Sequence, residues 1–166
     1  MKAKKRVFVG LFVFLLLAGA FLIIYGGSYI RANKAINDFS KYIEKGNFND
    51  LILTIYYVSP YIFTPFPLSV EDLIRYSEDK IVIEGSQLEQ YIDLLNQVKS
   101  VSLKPVIKKT YMDARIYYVF ETEKKGKLFD VTMFGLNDDS IFINGIEVKW
   151  EDIFYDIIVP FLPEDF

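Results

Sequence analysis

The side chains that most enzymes use to move protons or attack carbon are missing from this chain, which contains no histidine and no cysteine. Histidine is the usual general base near neutral pH and the commonest metal ligand, and cysteine supplies thiolate nucleophiles and structural zinc sites. A Ser-His-Asp triad therefore cannot be assembled. Gly27-Ser28 and Gly85-Ser86 fall outside the nucleophile-elbow pattern and read as helix starts. Glycine-rich phosphate loops are absent as well. Carboxylate chemistry remains, in which two acids held about 5 to 10 Å apart cleave a glycoside. The acidic pairs Glu71/Asp72, Glu78/Asp79, Asp138/Asp139 and Glu151/Asp152 are neighbours in sequence, and neighbours point in different directions on helices and strands. Capping and turn formation account for them. Asn137 and Asp139 stand among other oxygens, but the alternating ligands, central glycine and closing glutamate of an EF-hand loop are missing. The expectation is a chain with no catalytic residue, no metal site and no cofactor.

Aromatic rings offer a different kind of site. Tyr56, Tyr57, Tyr61, Phe63 and Phe66 cluster around Pro60, Pro65 and Pro67, and such residues can stack on glycan rings or receive another protein. Their ordinary use is core and loop packing. Exposed together, they become the first candidate interface, because monomers seldom expose large contiguous apolar patches. Val159-Pro160-Phe161-Leu162-Pro163 is a weaker candidate of the same kind, its ordinary use being a tail tucked against the sheet.

The location of these residues follows from the start of the chain. Residues 7–25 carry no charged side chain and follow Lys2, Lys4, Lys5 and Arg6. At about 1.5 Å per residue they make a helix of about 28 Å, close to the roughly 30 Å hydrocarbon thickness of a bilayer. Basic residues beside a span stay in the cytoplasm, which predicts a cytoplasmic tail over 1–6, an anchor over 7–25 and an extracytoplasmic domain over 28–166. Cleavage after Ala20 is the competing reading, but the apolar run continues through Tyr25 and would leave a greasy new terminus. Ala20 also occupies the position at which a lipoprotein signal requires cysteine.

Taking the four bases before the span from the total of 19 leaves 15 against all 22 acids, so the outer domain has a formal charge of −7. Such a charge opposes phosphate backbones, and nucleic acid is not an expected partner. Lys104, Lys108 and Lys109 read as a solvated face. With no disulfide available, stability must come from packing, to which aromatic residues at 17% of the chain contribute large buried areas.

Spacing fixes the expected elements. Tyr29, Ala32, Ile36, Phe39 and Ile43 form the stripe of an amphipathic helix, with Ser28 to cap its start, Gly46 to end it and Gly26-Gly27 as a hinge. Residues 50–58 are apolar on both faces and read as a strand covered on both sides. A short helix over 70–76 opens on the capping box Ser69/Asp72, and a strand covers 80–84. A second capping box, Ser86/Glu89, opens a helix over 87–99. Residues 101–109 are extended, demoted to an edge by Pro105. A meander follows over 114–122, 128–134, 140–143 and 146–149, whose Asn144-Gly145 turn needs positive φ at both central positions. A helix over 151–159 ends the pattern. Together these predict an α+β domain, a mainly antiparallel sheet with helices packed on one face. The plan resembles that of small accessory proteins in bacterial envelopes. It points to a membrane-anchored, non-enzymatic binding module that docks on another envelope protein. An envelope ligand or glycan sensor and a toxin-immunity or inhibitor protein are the alternatives, with a carboxylate-only hydrolase the least supported.

Overall fold

The computed structural model describes residues 26–46, 48–59, 61–77, 80–106, 113–134 and 139–163, together with Phe12 and Gly19. The expected anchor over 7–25 thus lies outside the described residues apart from those two. Among the described residues no helix is long and apolar enough to cross a membrane.

The stripe of small and apolar residues at spacings of three and four forms α1, Gly27–Glu44, which buries Ala32, Ile36, Phe39 and Ile43. Gly26 has helical dihedrals, φ −66° and ψ −40°, so Ser28 lies inside the helix and not at its cap, and Gly26-Gly27 forms no break. Gly46, at φ +67°, ends the helix with its N–H donating to the Ile43 carbonyl. The chain then enters β1, Leu51–Tyr57, crosses to α2, Val70–Tyr76, and returns antiparallel as β2, Lys80–Glu84. After two short helices, α3 (Gly85–Leu88) and α4 (Ile92–Gln97), comes the meander β3 (Ala114–Thr122), β4 (Gly126–Phe134), β5 (Ser140–Ile143) and β6 (Ile146–Lys149). The one-turn helix α5, Ile153–Asp156, follows. The six strands form one antiparallel sheet in the order β2-β1-β3-β4-β5-β6, making the fold α+β.

Two helix predictions need correction. The Ser86/Glu89 cap gives way to Glu84/Gln87, because β2 runs without a loop into α3. The expected helix over 87–99 is broken into α3, α4 and 3-10 turns, yet its stripe still buries Leu88, Leu95 and Val98. The expected last helix shortens to α5 and a 3-10 turn, Val159–Phe161, since Pro160 supplies no backbone donor for an α-helical bond.

The sheet has an unequal pair of faces. Leu53, Ile55, Tyr118, Phe120, Phe129, Val131, Ile141 and Val148 line the main face, and α1, α4 and α5 close it. Phe39 of α1 sits between Phe120 and Phe129, ring centroids 4.7 and 4.8 Å away, and the buried Tyr118 hydroxyl donates to the Phe154 carbonyl at 2.8 Å. The expectation of helices on one face fails for α2. It packs on β1 and β3, and its buried Leu73 is outside the main core cluster. Its Glu71 acts electrostatically on Tyr117, whose side chain alternates with that of Tyr118 and so belongs to the other face. The edges also differ. On β6, Lys149 N–H donates to the Lys104 carbonyl and Pro105 bridges Val148, which places part of the extended segment expected over 101–109 along this edge, residues 107–109 lying outside the described residues. Among the described residues, β2 has no such cover.

Tyr117 carries a pH signature. Burial, then the charges of Asp130, Tyr56, Glu121 and Glu71, push its phenol up to about 12. An unfolded tyrosine ionises near 10, so between the two values the native state holds more protons and stability falls as pH rises. That contribution is complete below pH 10 and gone once the pH passes about 12. Urea unfolding between pH 9 and 12 is expected to show a shallower loss of stability in Tyr117→Phe than in the wild type. Tyr42, raised by burial and its bond to Asp50, and Tyr118, raised by burial, keep part of the decline in that variant.

Candidate functional site

Residues 51–70 contain no charged side chain, and the loop 58–68 within them leaves the end of β1 with Pro60, Pro65 and Pro67 restricting its backbone. Both arms are stitched to the start of β3. Val58 N–H donates to the Arg115 carbonyl at 2.9 Å, and Ala114 N–H donates to the Leu68 carbonyl at 2.9 Å. Between the arms, Ile62 N–H donates to the Ser59 carbonyl at 3.1 Å and closes a turn.

The loop is held open by one buried cation. Arg115, only 7% exposed, donates from Nη1 to the Ile62 carbonyl at 3.0 Å and from Nη2 to Thr64 Oγ1 at 2.9 Å. It also grips Asp113 Oδ2 from Nε and Nη2, at 3.1 and 3.0 Å, while Asp113 Oδ1 accepts from Leu68 N–H at 2.9 Å. A bulge aims this arginine. Ala114 pairs with Phe134 and Ile116 with Met133, so Arg115 is the extra residue on β3 and is left without a partner on β4, while its carbonyl still accepts from Val58 on the other side. The planar fork then meets three acceptors that a lysine could not reach together.

This brace presents a row of rings to solvent. Tyr61, Phe63 and Phe66 are 79%, 89% and 77% exposed, and Ile62 and Tyr76 are exposed beside them. Between the loop and α2 lies an open groove of about 610 Å³, with Tyr57, Ile62, Pro65, Phe66, Asp72 and Tyr76 on its walls. Its one acid, Asp72, is engaged with Ser69. Its N–H donates to Ser69 Oγ at 3.1 Å, its Oδ2 accepts from that hydroxyl at 2.9 Å, and Arg75 lies 3.8 Å from Oδ1. The N-cap half of the predicted Ser69/Asp72 box is therefore present, while the Asp72 carboxylate turns to the Ser69 hydroxyl and not to its backbone N–H, and the groove is apolar with one tethered carboxylate.

The five residues singled out in the sequence part company here. Phe66 and Tyr57 line the groove, while Tyr61 and Phe63 project from the loop. Tyr56 is on the other side of β1, half-buried, its ring stacked on Tyr117 with centroids 6.1 Å apart. Arg115, Asp113, Tyr76 and Ile62 were missed. A lone arginine at the head of the apolar run 116–120 was the available signal for the brace. The C-terminal candidate is a tucked tail: Phe161 packs on Tyr91 at 4.9 Å and, with Leu162, against the core. Lys104 pairs with Glu151 at 3.2 Å, and Lys108 and Lys109 lie outside the described residues. Of the acidic pairs, Asp152 accepts from Trp150 Nε1 at 2.8 Å, and Glu78, Asp79 and Asp138 lie outside the described residues, as does Asn137. Among the described residues no three acids gather as a cation site.

No family model, curated protein or solved structure matches the chain.

Proposed function

We propose that this chain is a membrane-tethered, extracytoplasmic, non-enzymatic binding module of the cell envelope, and that its loop 58–68 docks on another envelope protein. The observation that carries the reading is the rigidly braced, uncharged loop that holds Tyr61, Phe63 and Phe66 in water. Exposing three such rings forgoes on the order of 5 kcal/mol of burial, which a partner would recover. A preformed surface also loses little conformational entropy on binding. The tether is supported by the uncharged stretch over 7–25 that leads directly into α1.

Tyr61→Ala, Phe63→Ala and Phe66→Ala remove surface rings, so the triple variant is expected to fold with wild-type stability to within about 1 kcal/mol. Crosslinking in intact membranes followed by mass spectrometry is expected to recover a neighbour with the wild type that disappears with the variant. Identical neighbours in both would remove the loop from consideration. The groove favours one further reading, a glycan or ligand sensor, because its volume is within the range of about 300 to 1,000 Å³ typical of small-molecule sites. In that case cell-wall fragments raise the unfolding temperature of the wild type and leave Tyr76→Ala unchanged.

A further inference from the structure

The uncovered sheet edge has a sequence that complements itself. β2 reads Lys80-Ile81-Val82-Ile83-Glu84, and antiparallel pairing with a second β2 centred on Val82 places Lys80 opposite Glu84 at both ends. The same register sets Ile81 against Ile83 and Val82 against its own copy. We propose that two copies of this chain associate through β2, in a two-fold pairing that joins their sheets into one of twelve strands.

Three observations select a second copy as the occupant. The first is this charge complementarity, which a two-fold interface requires of a single sequence. The second is exposure: Lys80, Val82 and Glu84 share the less-covered face, and Val82 is 46% exposed, an unusual cost for a β-branched residue on an edge. On the main face, Ile81 and Ile83 border a groove of about 340 Å³ with Tyr91 and Phe161, which apolar residues of the second strand would fill. The third is geometry. The two-fold axis of an antiparallel pair runs perpendicular to the sheet, so the main faces of both copies look the same way. Both α1 helices then lie on one side of the joined sheet, and, resting on the tether proposed above, two chains anchored ahead of α1 can sit in one bilayer. A five-residue strand buries less than the roughly 1,000 Å² of a stable interface, so the association is weak in solution and relies on confinement to a membrane.

The test uses the full chain in membranes. Because the sequence has no cysteine, Val82→Cys introduces the sole thiol, and opposed residues have Cα atoms about 4.5 to 5.5 Å apart, within disulfide reach. Under mild oxidation Val82→Cys is expected to form a disulfide dimer, and the exposed turn variant Lys124→Cys is not. Lys80→Glu or Glu84→Lys alone sets like charges together at both ends and is expected to lower dimer yield on the order of tenfold. Mixing differently tagged Lys80→Glu and Glu84→Lys chains restores opposite charges at both ends and is expected to restore pairing. Glu84 also caps α3, so circular dichroism accompanies that variant, and Lys80→Glu in the Val82→Cys background gives an independent reading. Val82→Cys dimerising no better than Lys124→Cys, crosslinking instead to a different protein, or mixed charge variants that stay apart would each overturn the pairing.

Discussion

Arg115→Met is expected to destabilise the chain by about 2 to 3 kcal/mol and to open the loop 58–68 to protease, with cleavage concentrated there. The substitution keeps an unbranched apolar stem of comparable length and removes the guanidinium. Three acceptors lose their donor: the Ile62 carbonyl, Thr64 Oγ1 and Asp113 Oδ2. Breaking a fully buried ion pair costs about 3 to 5 kcal/mol, but the Asp113 side chain is 38% exposed and can recover water, so the lower figure applies. Arg115→Lys keeps the charge and loses the fork, and is expected to fall between the two. The informative contrast is local. Hydrogen exchange at the Ile62 and Leu68 amides should accelerate in Arg115→Met well beyond the global change, because among the described residues Arg115 makes the polar bonds that tie the middle of the loop to the sheet. If those amides instead follow global unfolding in both proteins, the loop is held by its packing and the arginine is not its brace. Binding through Tyr61, Phe63 and Phe66 should weaken along with the loop in this variant, even though no ring has been altered.

The brace also shows what a linear reading can and cannot reach. Wherever one local pattern governs an element, the residues declare it. The stripe from Ala32 to Ile43 gives α1, the both-face apolar run gives the central strand β1, and Asn144-Gly145 gives a hairpin turn, with φ of +49° and +73° as its type requires. The meander strands follow for the same reason. Elements whose limits are set by distant contacts are legible only in part. The start of α3 is fixed by what Gly85 packs on, and Ser86/Glu89 carried a cap signal that lost to it. The side of the sheet taken by α2 depends on which half of an already apolar strand it covers, and both halves of β1 look alike in sequence. At the site, Tyr61, Phe63 and Phe66 were recognisable as a cluster, but their exposure was not. Exposure depends on a bulge that re-aims Arg115, and no spacing rule announces a bulge between Ala114 and Ile116.

Gly85→Ala is the substitution expected to cost most, about 4 kcal/mol or more, although its residue has neither a positive φ nor any role in the candidate surface. The reason is a close approach of backbone to backbone. A Cβ at position 85 would lie 1.5 Å from the Phe48 carbonyl oxygen and 2.4 Å from its carbon, far inside contact distance. That carbonyl is not free to retreat, since it accepts from Leu51 N–H at 2.9 Å in the turn that launches β1. Relief requires moving either the turn into the central strand or the junction between β2 and α3, and both are tied to the main core through Phe48, Leu51 and Leu88. Gly27 is the control: an added Cβ there meets nothing within 4 Å, and the residue is already helical, so Gly27→Ala is expected to stabilise by up to about 1 kcal/mol. Urea unfolding followed through the single tryptophan, Trp150, distinguishes the two substitutions by sign. Equal small effects at both positions would mean that the contact between Phe48 and Gly85 is loose, and with it the placement of β2 that leaves its outer edge open for a second copy.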